Sequence, residues 1–204
     1  MNPKASRPAA ARRDPFEPIM SQGPQENEIK LAVADPAAAR GLLRRAGFRL
    51  LRRRVFEANT LFDTPRLDLR RRRVLLRLRQ AGRTITLTFK GQPLPGPHKT
   101  REELETGLAD GARFTEILAR LGLDPVFRYE KYRTEFRMPR GPGRAMLDET
   151  PIGVYLELEG PPAWIDRTAA RMGFAPRDYI TASYGRLYLD WCQRERRTPG
   201  NMVF

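Results

Sequence analysis

Charged residues alternate with apolar ones in several segments of this chain, and this pattern most constrains the fold. In the segment 26–33, a period of two places Glu26, Glu28 and Lys30 on one face of a strand and Ile29 on the other. A single strand of this kind is also typical of a solvated sheet edge, because polar side chains normally face water. The interpretation therefore depends on whether other strands repeat the pattern.

Similar alternation recurs in later segments, so that about eight short strands follow one another at hairpin spacing. Their polar faces carry, in chain order, Arg53, Glu57 and Asn59; Arg77 and Arg79; Lys90; Arg101, Glu103 and Glu105; Lys131 and Arg133; Asp148; and Glu157 with Glu159. The opposite faces are apolar, as at Ile85, Leu87 and Phe89. Such strands predict a large antiparallel sheet that is curved or closed.

The charges on these faces favour a lumen over a solvated surface. Paired carboxylates on one strand face repel each other, and a divalent cation between them relieves that cost. Arginine and lysine pairs suit a chain of phosphates, since arginine binds phosphate with two parallel hydrogen bonds. We therefore predict an α+β protein, an antiparallel barrel with a charged lumen and helices covering its apolar outside. A lumen of structural salt bridges is the alternative, although buried ion pairs add little net stability.

Helical periodicity and composition divide the chain further. The first helix is expected to begin at Asp35-Pro36, where aspartate caps and proline occupies the first turn, and to end at Gly47. Three more helices are expected near 114–121, 165–172 and 181–194. Residues 1–24 are predicted to be a disordered basic tail, 25–195 the folded domain and 196–204 a flexible C-terminal tail.

The overall composition limits the classes of function. A net charge of +14 favours a polyanionic partner. With Cys192 and His98 as the one cysteine and the one histidine, any metal is expected to be a hard cation held by carboxylates. The chain lacks an apolar run of about 18 residues and the apolar core of a secretory signal, so we expect a cytoplasmic protein without a membrane span.

Taken in order, the charged segments resemble the CYTH superfamily, the triphosphate tunnel metalloenzymes. This family includes class IV adenylate cyclases, thiamine triphosphatases and inorganic tripolyphosphatases. Its motifs match E-x-E-x-K at 26–30, L-R-x-R at 76–79, the lysine strand at 87–90, R-x-E-x-E at 101–105, K-x-R at 131–133, L-D at 147–148 and G-x-x-x-E-x-E at 153–159. The segment 59–64 resembles N/D-x-Y-F-D-T, with Leu61 in place of the usual aromatic residue.

The resemblance implies an eight-stranded antiparallel barrel that forms a tunnel, and it implies roles for single residues. The expected ligands of Mg²⁺ or Mn²⁺ are Glu26, Glu28, Asp148, Glu157 and Glu159. The expected triphosphate-binding residues are Lys30, Arg53, Arg77, Arg79, Lys90, Lys131 and Arg133. Among these, Glu26, Glu28, Lys30 and Lys90 are expected to be catalytic, and Glu57, Glu103 and Glu105 are expected to support the basic groups.

The resemblance leaves several functions open. We expect a metal-dependent phosphohydrolase acting on a triphosphate-containing small molecule, with a class IV adenylate cyclase as the alternative reaction. A non-catalytic polyphosphate-binding protein would use the same tunnel. The alternative from another class is a nucleic-acid-binding protein that uses the arginine runs 52–54 and 70–73, although such runs are more often solvated surface. A homodimer stays open as the form of assembly.

Overall fold

Eight antiparallel strands close into a barrel in the computed structural model, which describes residues 24–204. The strands are β1 (Gln25–Val33), β2 (Arg49–Asp63), β3 (Leu75–Ala81), β4 (Thr84–Lys90), β5 (Lys99–Leu108), β6 (Asp124–Arg137), β7 (Arg144–Thr150) and β8 (Gly153–Glu159). Around the barrel they follow the order β1-β5-β4-β3-β2-β6-β7-β8, and β8 pairs with β1 to close it. This confirms the predicted fold class. The predicted disordered tail lies outside the described residues, apart from Pro24.

Alternation along each strand separates a charged interior from an apolar exterior. On β1, Ile29 and Leu31 are fully buried on the outer face, while Glu28 and Lys30 point to the interior. The outer face packs against helices and forms one hydrophobic core, whose members include Ile29, Leu31, Leu147, Leu156 and Leu158 from strands and Ala39, Leu43, Trp164, Ile165 and Ala169 from helices. The main apolar core thus lies outside the barrel wall.

The described residues form five α-helices and one short 3-10 helix (Pro176–Asp178). The α-helices are α1 (Pro36–Arg45), α2 (Asp68–Arg71), α3 (Gly111–Arg120), α4 (Pro162–Arg171) and α5 (Tyr184–Arg194). The Asp35 carboxylate caps α1 by accepting hydrogen bonds of 2.8 Å from the amides of Ala37 and Ala38, as the sequence predicts. Helix α5 begins three residues later than expected because Ser183 caps it. Within residues 24–204 no helix combines the length and apolarity that a bilayer span requires.

The C-terminal residues, for which a flexible tail is predicted, contact the barrel at Met202. Strand β7 pairs with β6 only from Tyr132 onward, so the edge of β6 at Arg128–Glu130 is left open. Met202 fills this gap with a parallel bridge: its amide donates to the Arg128 carbonyl (3.0 Å), and its carbonyl accepts from the Glu130 amide (2.9 Å). The Met202 side chain is buried among Tyr129, Tyr184 and Tyr188. An open strand edge therefore gives this segment a backbone partner that its composition alone does not indicate.

We expect the docking of Met202 to contribute to stability. The substitution Met202→Ala should lower the free energy of unfolding by about 2 kcal/mol, because it removes a fully buried side chain from an aromatic cluster. Urea denaturation followed by circular dichroism measures this change. The matched substitution Val203→Ala, at a neighbouring side chain that is 41% exposed, should change stability by less than about 0.5 kcal/mol. Equal effects of the two substitutions would contradict the docked arrangement.

Candidate functional site: a charged tunnel

The interior of the barrel is a cavity of about 550 Å³. All eight strands contribute side chains to its wall, together with the start of α5. The cavity-lining residues that the sequence predicts are Glu26, Glu28, Lys30, Glu57, Arg77, Arg79, Lys90, Glu103, Glu105, Lys131, Arg133, Glu157 and Glu159. Two predicted residues, Arg53 and Asp148, do not line the open cavity.

Carboxylates concentrate where β1 pairs with β8. Glu28 and Glu159 are direct partners in the register of these strands, and Glu26 lies two residues before Glu28 on the same face. Burial raises the pKa of Glu159, and the nearby charges of Glu26 and Glu28 raise it further, against the lowering effect of Arg144. Such mutual repulsion of carboxylates marks a place where a cation would be stabilised.

Lysines separate these carboxylates from one another. The Lys30 ammonium lies 3.1 Å from Glu28 and 3.2 Å from Glu157, and Lys99 lies 2.5 Å from Glu28. Burial by itself would raise the pKa of Glu28. The charges of three nearby lysines outweigh this effect and hold the Glu28 pKa well below its ordinary value; they are Lys30, Lys99 and Lys90. Among residues 24–204, consequently, no three acidic, histidine or cysteine side chains converge as a ready cluster of metal ligands. The oxygen donors themselves are the type that Mg²⁺ and Mn²⁺ prefer.

The side of the tunnel that is built from β3, β4 and β5 holds arginines in fixed positions. The Arg77 guanidinium donates to Glu105 (3.3 Å), to the Thr88 hydroxyl (3.1 Å) and to the Tyr129 hydroxyl (3.4 Å). Arg79 donates to the same Glu105 oxygen at 3.4 Å. Glu105 therefore orients both arginines, which agrees with the supporting role that the sequence predicts for it.

Lys90 lies at the junction of the basic and acidic walls. Its ammonium lies 2.5 Å from Glu26 and 2.9 Å from Glu103. Burial raises the pKa of Glu103 to about 7, and the close Glu26 carboxylate adds to this rise while Lys90 opposes it. Lys90 thus keeps two repelling carboxylates together.

Asp148 lies on the inward face of β7, in the same alternation as the lining residues Arg144 and Met146, but it is fully buried beneath three residues that donate to it. Its carboxylate accepts from Lys131 (2.8 Å), from two nitrogens of Arg133 (2.7 and 2.6 Å) and from the Tyr184 hydroxyl (2.7 Å). Burial and the Asp148 charge raise the pKa of Tyr184 well above its ordinary value, so this hydroxyl stays protonated as a donor. The arrangement orients Lys131 and Arg133 toward the lumen. Without a metal, the carboxylate of Asp148 is thus engaged by basic groups, and the predicted role of Asp148 as a metal ligand stays a prediction.

Arg53 does not face the lumen, and a β-bulge is the reason. Arg52 of β2 pairs with Glu135 of β6, and Val55 pairs with Arg133. Between these two pairs β2 advances by three residues and β6 by two, so β2 contains one extra residue. The extra residue reverses the alternation, which makes Arg52 a lining residue that lies 3.4 Å from Glu135 and leaves Arg53 exposed. The geometry therefore gives no support to the predicted role of Arg53 in triphosphate binding, which stays a prediction.

The orientation that the bulge gives to Arg53 can be tested by comparing its contribution to tripolyphosphate binding with that of Arg77. We expect Arg53→Gln to change the affinity for tripolyphosphate by less than about twofold, since its side chain lies outside the tunnel. The same exchange at Arg77 should weaken binding by at least about tenfold, because it removes a buried guanidinium from the wall. Isothermal titration calorimetry distinguishes the two results. A loss at Arg53 equal to that at Arg77 would contradict the register of β2.

Several lining residues were not assigned a role from the sequence. Lys99 and Arg101 lie on the inward face of β5, in the same alternation as Glu103, so extending the period of two backward would have found Lys99. Tyr184 enters the wall from α5, where its ring lies about 5 Å from the ammonium groups of both Lys30 and Lys131. No strand periodicity could indicate a helical residue as part of a tunnel.

Comparisons with known proteins agree with this geometry. Residues 24–171 match the family model of the CYTH domain. "Putative adenylate cyclase MJ0240" from Methanocaldococcus jannaschii is 28% identical over 135 residues, which span 66% of this chain and 75% of that protein.

Solved structures show the same fold. The PH1819 protein from Pyrococcus horikoshii OT3 has a TM-score of 0.70 at 23% identity, over 81% of this chain and 98% of its own. "Putative adenylyl cyclase HpAC1" from Hippeastrum, described with a dominant triphosphatase activity, has a TM-score of 0.59 at 20% identity, over 85% of this chain and 97% of its own. The motif order, the barrel and the family match together show that this chain belongs to the CYTH family.

Proposed function

We propose that this protein is a divalent-metal-dependent phosphohydrolase that acts on a triphosphate. Inorganic tripolyphosphate, nucleoside triphosphates and thiamine triphosphate are the substrate classes considered. The observation that carries the proposal is a single tunnel in which clustered carboxylates on β1 and β8 face arginines and lysines on β3, β4 and β6. Phosphoryl transfer depends mainly on alignment and on neutralising charge on phosphate oxygens, and this tunnel supplies groups for both.

Within this proposal, the basic side chains bind and align the triphosphate. Arg77, Arg79, Lys131 and Arg133 are held by Glu105 and Asp148 before any ligand arrives, so little side-chain entropy is lost on binding. Guanidinium groups donate two parallel hydrogen bonds to phosphate, which also selects its orientation.

The carboxylates Glu26, Glu28, Glu157 and Glu159 would hold Mg²⁺ or Mn²⁺, because they line the cavity and are oxygen donors. When bound, such an ion neutralises phosphate charge and lowers the pKa of a water molecule for hydrolysis. Lys30 and Lys90, each between two carboxylates, would turn to the phosphate oxygens when the carboxylates are occupied. Asp148 is proposed as a positioning residue that keeps Lys131 and Arg133 directed into the lumen.

Cyclisation of ATP is the second candidate, since the relative from Methanocaldococcus jannaschii is named an adenylate cyclase. In that reaction the ribose 3′ oxygen attacks the α-phosphate and pyrophosphate leaves. We place hydrolysis first because HpAC1, which shares the fold and a cyclase name, is described with a dominant triphosphatase activity. The test is incubation with Mg²⁺ or Mn²⁺ and either tripolyphosphate or ATP, followed by assays for phosphate and cyclic AMP. Cyclic AMP formed as fast as phosphate would reverse the order.

Nucleic-acid binding receives less support from the arrangement of the arginine runs. Arg52 pairs with Glu135 and Arg54 with Glu149, and the Arg54 guanidinium stacks 3.4 Å above the Tyr132 ring. The run 70–73 lies in and after α2, beyond the opposite end of β2, so the two runs do not form one surface. Binding to duplex DNA or RNA with a steep salt dependence would support this other class.

A further inference from the structure

One arginine of the tunnel has no acidic partner. Arg101 lines the cavity and is only 8% exposed, its Nε has no hydrogen-bond partner, and no carboxylate of residues 24–204 lies within 4.0 Å of its guanidinium. Every other cavity-lining cation in this part of the chain has a carboxylate at that distance; these are Lys30, Arg52, Arg77, Arg79, Lys90, Lys99, Lys131, Arg133 and Arg144.

Two acidic residues lie close to Arg101 in the sheet, but each of them forms an ion pair with a lysine. Glu26 is the direct register partner of Arg101 on β1, and Glu103 lies two residues further along β5. Both of these carboxylates instead contact Lys90, at 2.5 and 2.9 Å. Glu28, the next carboxylate on β1, forms an ion pair with Lys99 at 2.5 Å. The local ion pairs thus leave the guanidinium of Arg101 free.

An unpaired buried guanidinium is costly unless a ligand compensates it. Arginine remains charged at any accessible pH, so it cannot relieve burial by losing its proton. A buried charge without a partner is strongly unfavourable, and native folds usually avoid it. A planar fork of donors that points into a cavity fits a tetrahedral phosphate, which can accept two of its hydrogen bonds.

The position of Arg101 in the barrel adds a second argument. In the strand order, β5 and β6 are four places apart, so they face each other across an eight-stranded barrel. Lys99 and Arg101 on β5 therefore lie opposite Lys131 and Arg133 on β6, and each pair has the spacing K-x-R. A condensed phosphate chain carries anionic groups along its length, so it offers acceptors to more of these basic residues than a single phosphate group does.

We propose that Arg101 is the central residue of a second anion-binding wall, which holds the end of a condensed phosphate chain opposite Lys131 and Arg133. The inference rests on the proposed function and deepens it, since it selects substrates by the length of their phosphate chain. Lys99 flanks this subsite and becomes available to the same phosphate when a cation takes Glu28.

The test is calorimetric titration of the full chain in EDTA with phosphate, pyrophosphate and tripolyphosphate. Arg101→Gln should weaken tripolyphosphate binding by at least about tenfold and orthophosphate binding by less than about twofold. Arg101→Lys, which keeps the charge but loses the fork, should show an intermediate loss. The control Arg120→Gln, on the exposed face of α3, should bind as the wild type does. Equal affinities of Arg101→Gln and wild type for tripolyphosphate would overturn the inference.

Thermal unfolding without ligand separates binding from a structural role. Because the charge of Arg101 is uncompensated, Arg101→Gln should melt at the wild-type temperature or above it, and it should lose most of the stabilisation that tripolyphosphate gives. A large fall in melting temperature together with unchanged tripolyphosphate affinity would identify Arg101 as a structural residue and contradict the proposal.

The metal-free measurements also distinguish this inference from the proposed function. Tight tripolyphosphate binding that depends on Arg101, without hydrolysis in the presence of Mg²⁺ or Mn²⁺, would refute the phosphohydrolase and keep the second wall. Hydrolysis with Arg101 variants that bind normally would do the reverse. Absence of tripolyphosphate binding by the wild type would overturn both.

Discussion

Glu26→Gln and Glu28→Gln are each expected to lower metal-dependent hydrolysis of tripolyphosphate by about 10²- to 10³-fold. Glutamine keeps the size of the side chain but removes the charge that would attract a divalent cation at the junction of β1 and β8. Phosphate release at several Mn²⁺ concentrations measures the effect. We expect a higher metal concentration to restore part of the activity if these carboxylates are ligands.

The controls for these substitutions separate loss of metal from loss of fold. Glu116→Gln, at an exposed position on α3, should keep wild-type activity. In EDTA, the Glu26 and Glu28 variants should bind tripolyphosphate as tightly as the wild type or more tightly, because a repelling charge has been removed. Activity within about threefold of wild type in both variants would refute the assignment of the metal site to β1.

Asp148→Asn is expected to lower the free energy of unfolding by about 3 kcal/mol in the absence of any metal. The substitution leaves Lys131 and part of the charge of Arg133 buried without their shared carboxylate. Lys131 retains Glu57 at 3.7 Å and Arg133 retains Glu157, so the loss should be smaller than for a fully isolated charge. Urea denaturation in EDTA measures the change, and Asp124→Asn at an exposed position is the matched control.

The same experiment decides between two roles for Asp148. A positioning residue should affect stability without metal and should weaken tripolyphosphate binding through Lys131 and Arg133. A metal ligand, which the family resemblance implies, should leave the metal-free stability unchanged and weaken only the binding of Mn²⁺. Unchanged stability in EDTA would therefore return Asp148 to the role predicted from the sequence.

Much of the fold and tunnel lining could be predicted because side-chain direction in a strand follows local alternation. Glu26, Glu28 and Lys30 share a face whatever the rest of the chain does. Apolar residues on the opposite face, such as Ile29 and Leu31, require helical cover, which predicts an inverted barrel. For this reason the predicted strands β1, β3 and β8 supply their charges to the cavity as expected.

The arrangement departs from simple alternation where it depends on a partner strand or on a distant segment. The bulge of β2 against β6 turns Arg53 outward and Arg52 inward, and no property of the segment 52–54 alone indicates it. Met202 pairs with an open edge of β6, which exists only because β7 is shorter. In both cases the deciding interaction joins residues far apart in the chain.

The sequence by itself determined the class of chemistry: clustered carboxylates and guanidinium groups, set on alternating strand faces, that suit a hard cation and a polyphosphate. Only the tertiary structure decided which charges satisfy one another. Ion pairing depends on distances of a few ångström between side chains of different strands, which the sequence does not give. In the folded barrel, Asp148 accepts hydrogen bonds from Lys131, Arg133 and Tyr184. For the same reason Glu26 forms its ion pair with Lys90, and Arg101 on the inward face of β5 has no carboxylate partner among residues 24–204.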